Sequence, residues 1–279
     1  MTVRIVTDSS CDLSDEVIQR HGIVVVPLSI IFGAEEYIDG QDLSAEDFYR
    51  KMADAPELPS TAAPAPGAFE EVFRKLSSEG ADAVVCVNLS FALSATGESA
   101  QAAARALEGE VDVRVVDSGK VSAGLGLVVL AAAAAAEAGH SADEIQAQLS
   151  ELKERIFIYG VLDTLENLKR GGRIGAAQAM LGSALSIKPC VDLTSGTVQE
   201  AGKQRTRSKA RRWLLNQVKS AGELEHLAVA HAKADDIADF VSALGDEPAQ
   251  HPVSVNLIGP VVGTHAGPGV IAVGYVAKR

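Results

Sequence analysis

The chain is short of cysteine, of positive charge and of long apolar runs, and each shortage closes a class of function. Cys11, Cys86 and Cys190 are its only cysteines, isolated and odd in number, with no CxxC and no Cys/His cluster. Neither a disulfide framework nor a zinc site is supported. Lys and Arg total 25 against 37 Asp and Glu, a net charge of −12. Nucleic acid and anionic membranes attract a positive field, so generic binding to either is disfavoured. The longest uncharged apolar run, 121–136, contains Gly124 and Gly126 and falls short of a membrane span. Its six consecutive alanines predict a helix packed closely against a sheet. The opening run, strand-like from Val3, lacks the basic region and cleavage site of a signal peptide. A cytoplasmic protein without stable membrane insertion is expected.

What is present is an ordinary globular balance, 47 % hydrophobic and 22 % charged, which argues against disorder. At 279 residues the chain allows one large domain or two smaller ones. Short β-branched runs alternate with longer Ala- and Leu-rich amphipathic ones, the pattern of an α/β fold. Strands are predicted at 3–7, 24–28, 83–88, 112–116, 156–161, 189–193, 226–230 and 253–258. Helices are predicted at 44–53, 67–78, 95–107, 121–137, 141–154, 205–220 and 235–244. Residues 28–39 predict a hairpin turning at Gly33. Residues 55–67 hold four of the ten prolines and read as a connecting loop. A boundary near residue 155 divides the chain into α/β domains 1–155 and 156–279.

Several segments carry polar groups where chemistry is done. Thr7-Asp8-Ser9-Ser10 ends the first strand, where open α/β folds place ligands or where an Asx turn caps the next helix. Ser94 is expected at a helix N-cap, either as an ordinary cap or as a carboxylate or phosphate cradle. Gly259 to Gly269 packs four glycines and two prolines around His265, a loop through which backbone can approach a ligand closely. No second ligand stands at metal spacing, so no metal is expected. The run from Lys203 to Arg212 carries six basic residues and no acid. Most of them read as a solvated helix face, with Arg205 at the helix entry as the one to point inward. Trp213 is its only neighbouring aromatic, so nucleic-acid binding is poorly supported. Arg173, after Arg170-Gly-Gly, reads either as an ion-pair partner or as a ligand contact. G-x-S-x-G, a complete phosphate loop and a dinucleotide fingerprint are all absent.

Taken in order, these segments resemble the DegV family of bacterial fatty-acid-binding proteins along essentially the whole chain. The residues carrying the resemblance are Val6-Thr-Asp-Ser-Ser10, Val25-Val-Pro-Leu28, Tyr37-Ile-Asp-Gly40, Thr61 with Pro64, and Pro66-Gly67-Ala-Phe69. Leu93-Ser94-x-Thr96, Asp117-Ser118, Leu168-x-x-Gly-Gly-Arg173, Lys188-Pro189, Gly196, Lys203-x-Arg-Thr206 and His265-x-Gly-Pro-Gly269 complete it. The resemblance implies two α/β domains of mainly parallel sheet holding one long-chain fatty acid between them, with no cofactor and no catalysis. It assigns the carboxylate to Thr61, Ser94 and His265, with Arg205 as electrostatic partner. It also implies delivery of the bound acid to a separate fatty acid kinase that makes acyl phosphate for phospholipid synthesis. Ala62 and Ala95 stand where the family pattern has serine and glycine. Phe91, Met180, Leu181 and Ile187 are the expected tunnel walls. From the residues alone two other readings stay open: an acyl hydrolase or acyltransferase using Ser94 and His265, and a regulatory module that senses lipid and binds another protein.

Overall fold

In the computed structural model, which describes residues 2–181, 187–245 and 248–278, the chain builds three sheets. The first is wholly parallel, in the order β2-β1-β6-β7, from β1 (Val3–Asp8), β2 (Val24–Val26), β6 (Ala83–Asn88) and β7 (Val113–Asp117). A three-stranded antiparallel sheet joins β3 (Ser29–Phe32), β4 (Glu35–Ile38) and β5 (Ser60–Ala62). The third sheet has the order β10-β9-β8-β13-β11-β12. Its strands are β8 (Ile156–Val161), β9 (Lys188–Asp192), β10 (Gln199–Gln204), β11 (Leu224–His231), β12 (Ser254–Leu257) and β13 (Ile271–Ala277). The α/β class holds, but "mainly parallel" does not extend to this sheet, where only β11 and β12 run parallel. β13 reverses direction between β8 and β11, and the sequence reading stopped short of it at Gly269. Among the described residues no strand pairs across residue 155.

The helices are α1 (Asp15–Arg20), α2 (Ala45–Asp54), α3 (Pro66–Ser78), α4 (Thr96–Ala106), α5 (Ala123–Glu137), α6 (Ala142–Leu152), α7 (Glu166–Arg170), α8 (Arg207–Ser220), α9 (Ile237–Leu244) and α10 (Pro260–Ala266). They alternate with the two large sheets in five layers. α3 and α4 cover the outer face of the parallel sheet, and α8 and α9 the outer face of the six-stranded one. α5 lies between them, packed against β1 and β6 on one side and β8, β11 and β13 on the other. A helix that is apolar all round belongs in such a place, so the alanine-rich run packs on two sheets rather than one.

Strand periodicity sorts the core into these layers. In β6, Val85 and Val87 face the central layer while Val84 and Cys86 face α3 and α4. In β11, Ala228 and Ala230 face inward and Leu227 and Val229 outward. Glycines set the closest approach. A Cβ on Gly274 of β13 would lie 3.1 Å from the backbone nitrogen of Gly124, so helix and strand touch without intervening side chains. Two readings of the loops change. The proline-rich stretch contains β5, which pairs Thr61 with Ile30, and the glycine-rich stretch contains α10, with Pro260 at its first turn.

Candidate functional site

At the carboxyl ends of β1 and β6, Asp8 is fully buried and gathers the loops. It accepts from Ser10 N at 3.1 Å, Leu89 N at 2.9 Å and Asn88 Nδ2 at 3.2 Å, so it serves the turn rather than a ligand. Leu89, positioned this way, begins the wall of a cavity. Opposite it, the turn 194–197 is drawn in by two buried donors. Lys120 Nζ donates to Thr194 O at 2.6 Å and to Ile156 O at 2.8 Å, and Ser90 Oγ donates to Gly196 O at 2.7 Å. Burial lowers the Lys120 ammonium to about 8. Leu193 and Val198, flanking that turn, close the cavity from the six-stranded side.

Three contiguous chambers result. An outer one of about 330 Å³ is lined by polar groups, including Ser60, Thr61, Asn167, Arg170, Arg173 and His265. Thr61, Arg173 and His265 also line the next, of about 90 Å³, whose other walls are Ser94 and aliphatic residues such as Leu28, Leu93, Leu168 and Val261. The innermost, of about 60 Å³, shares Val121, Leu193, Val198 and Val262 with its neighbour and is apolar apart from Ser122. Polarity therefore falls from mouth to floor.

The neck is built by three elements. β5 holds Thr61 in a ladder, and α10 presents His265, whose Nε2 lies 2.9 Å from Thr61 Oγ1. α7 seats α10 through Asn167 Nδ2, which donates to Thr264 O at 3.1 Å. His265 Nδ1 is buried without a partner and faces Gly171, where a Cβ would come within 2.2 Å of it. Burial, then the charge of Arg173, depress the His265 imidazolium to about 4, so the ring is neutral at pH 7. Arg173 is exposed and donates to Leu93 O at 3.1 Å and Gly171 O at 2.6 Å. Among the described residues it makes no ion pair. Ser94 Oγ lies 2.9 Å from Thr96 Oγ1 and accepts from Thr96 N at 3.3 Å. Ser94 precedes the N-cap, which is Ala95, because its side chain closes a turn before α4 begins.

Thr61, Ser94 and His265 thus meet at one cavity, and Arg205 does not join them. It is exposed at the entry to α8, on the outer layer of the six-stranded sheet, and lines none of the chambers. Its neighbours Arg207 and Arg211 pair with Asp236. Arg173 is the cation at the neck. The four expected wall residues are elsewhere. Phe91 stacks over Gly97, Met180 is in the core, Leu181 is 38 % exposed and Ile187 is half-buried outside the chambers. The walls missed in the sequence lie within or beside the segments noted there: Leu28 after Pro27, Leu93 before Ser94, Leu193 at the end of the predicted strand 189–193, and Val261 and Val262 four and three positions before His265. Among the described residues, no Ser94–His265 hydrogen bond is made and no carboxylate contacts His265 Nδ1. The arrangement has no activated nucleophile with its base.

A profile described as "Uncharacterised protein, DegV family" matches residues 2–278. The chain belongs to the DegV family. A DegV domain-containing protein of Streptomyces coelicolor is 38 % identical over 278 residues, covering 97 % of each chain. A DegV family protein of Thermus thermophilus, whose structure is described in terms of its fatty acid binding, superposes with a TM-score of 0.91. The two are 33 % identical over the whole of both chains. A stearic acid-binding protein of Eubacterium ventriosum has a TM-score of 0.91 at 27 % identity, covering 99 % of this chain and 98 % of its own. The DegV fold is thus shared over its full length, and no helix among the described residues is long and apolar enough to cross a membrane.

Proposed function

We propose that this DegV protein binds one long-chain fatty acid, with its acyl chain in the inner chambers and its carboxylate at the Thr61–Ser94–His265 neck. The observation that carries this reading is the gradient across three adjoining chambers, from hydroxyl, imidazole and guanidinium donors at the neck to walls that are aliphatic apart from Ser122. The inner chambers, about 90 and 60 Å³, are smaller than a long acyl chain, so they widen to admit it, and each methylene buried there supplies about 0.8 kcal/mol of gross driving force. Loss of motional freedom offsets part of that. A buried carboxylate is costly unless hydrogen-bonded throughout, and two hydroxyls, the ring of His265 and the charge of Arg173 answer that need. The two solved DegV relatives described as binding fatty acids support the same chemistry.

The carboxylate end faces the outer chamber, which suits presentation to a separate fatty acid kinase for acyl-phosphate formation and phospholipid synthesis in the cytoplasm. The reading also keeps the division into units 1–155 and 156–279, with the ligand between them, and needs no cofactor. Titration with a fluorescent long-chain fatty acid tests the binding arm. Saturation at one equivalent is expected, weakened by Thr61→Ala and His265→Ala; equal affinity in both variants overturns the head-group assignment. Addition of fatty acid kinase and ATP to the loaded protein tests delivery. Acyl phosphate formed only in the presence of this protein is expected, and its absence rejects the delivery step.

A further inference from the structure

Two residues other than glycine face each other in backbone conformations that side chains rarely adopt. Asp12 has φ 50 and ψ 29, and Ser122 has φ 52 and ψ −130. Both are buried, at 8 % and 5 % exposure. Such conformations persist only where surrounding contacts dictate them, and they cluster where function needs a fixed geometry. Here the contacts are two hydrogen bonds to one carboxylate. Ser122 Oγ donates to Asp12 Oδ2, and Gly259 N donates to Oδ1 at 2.9 Å. A Cβ on Gly259 would stand 3.0 Å from that oxygen, a tight contact that the glycine avoids.

These bonds join three segments. Asp12 follows the 3₁₀ turn Ser9–Cys11, Ser122 is the N-cap of α5, and Gly259 is the N-cap of α10. Ser122 N also donates to Ser10 O at 2.9 Å. On the other side of α10's entry, Tyr49 Oη of α2 donates to Ile258 O at 2.9 Å. The segment entering α5 brings Val121 and Ser122 to the innermost chamber, and α10 brings Val262, His265 and Ala266 to the cavity.

We propose that Asp12 is a positioning residue for the acid site, a clamp that fixes α10, and with it His265, against the start of α5. For its ligand the clamp rests on the fatty-acid reading above; for its effect on α10 it rests on the two hydrogen bonds. The groups facing Asp12 are Asp8 on β1, Cys11 on its own turn, Asp39 after β4 and Tyr49 on α2. Burial, and more weakly Asp39 and Asp8, lift its carboxyl to about 7 against the pull of the two hydrogen bonds. Between pH 8 and pH 6 the carboxylate therefore takes up a proton and loses the charge that both donors address.

Hydrogen–deuterium exchange of the α10 segment, in Asp12→Asn and Ser122→Ala beside the wild type, tests the clamp without any ligand. Loss of one charge-assisted bond should speed exchange in α10 about tenfold or more, with α8 unchanged as an internal reference. Dissociation of a fluorescent fatty acid from the same proteins should quicken from pH 8 to pH 6 in the wild type and be fast and flat with pH in Asp12→Asn. Unchanged α10 exchange in both variants overturns the clamp. Faster α10 exchange in the variants, together with a wild type that takes up no fatty acid, would instead overturn the carrier reading and leave the clamp standing. Should Asp12→Asn fail to fold, Ser122→Ala carries both measurements.

Discussion

His265 illustrates how burial decides the chemistry of a single side chain. With its imidazolium depressed to about 4, the ring is neutral across physiological pH, and under the proposed function it meets the carboxylate as a hydrogen-bond donor. A bound carboxylate lowers the cost of the charged ring, so ligand binding should raise this value. NMR titration of the histidine ring protons is expected to show His265 titrating near pH 4 in the ligand-free protein and higher when loaded. The same depression has a stability consequence. Between about pH 4 and the ordinary histidine value near 6.5 the unfolded chain binds more protons, so this contribution is complete above pH 6.5 and lost as pH falls towards 4. Asp39 has the opposite sign. Burial, then the Asp8 charge against a Ser9 hydrogen bond, raises its carboxyl to about 6, so the folded state holds a proton that the unfolded state releases. Its stabilising contribution falls as pH rises from about 4 to about 6. The difference in melting temperature between Asp39→Asn and wild type should therefore move in the variant's favour from pH 4.5 to pH 7.5; a difference independent of pH would contradict this. Gly171 is judged by geometry alone. Gly171→Ala places a methyl 2.2 Å from His265 Nδ1, and fatty-acid affinity is expected to drop about tenfold or more as the ring is displaced.

At the scale of elements, α5 and the two strand ends around it decide whether a cavity exists. The close approach of Gly274 to Gly124 leaves no room for a branched side chain. Gly274→Val should cost about 1–3 kcal/mol in denaturant unfolding, the usual price of overpacking, whereas a neutral effect would mean that the layers are free to move apart. Much at this level was legible from the sequence. Val84-Val-Cys-Val87 reads as a strand covered on both faces, and all six residues of β6 are buried. The hairpin at Gly33 is present, with Gly33 at φ 61, because a two-residue turn needs that conformation. What escaped was tertiary. β10, QEAGKQ, has almost no strand propensity and exists because β9 offers it a ladder. α10 is a helix despite its glycines because Asp12, Tyr49 and Asn167 hold it. Arg205 and Arg173 could not be ranked from charge alone, since only the layer each occupies tells which one reaches the cavity.

Over the whole molecule, an acidic chain of net charge −12 surrounds a neck whose one full charge among the described residues is the cation Arg173, donating to carbonyls. The acidic surface opposes capture of anions in general, and under the proposed function the local donors select an anion with an apolar chain that enters the chambers behind it. The latch of Lys120 and Ser90 onto the 194–197 turn closes that volume from the six-stranded side. Lys120→Met removes the ammonium and both of its hydrogen bonds while keeping most of the packing, and ligand dissociation should quicken about tenfold with little change in the fold, as read by circular dichroism. Native mass spectrometry of the purified protein, before and after incubation with oleate, decides whether the cavity takes up a fatty acid. A 1:1 complex is expected, its added mass that of one long-chain fatty acid, released intact on organic extraction. A protein that carries no fatty acid and takes none up would contradict the proposed binding.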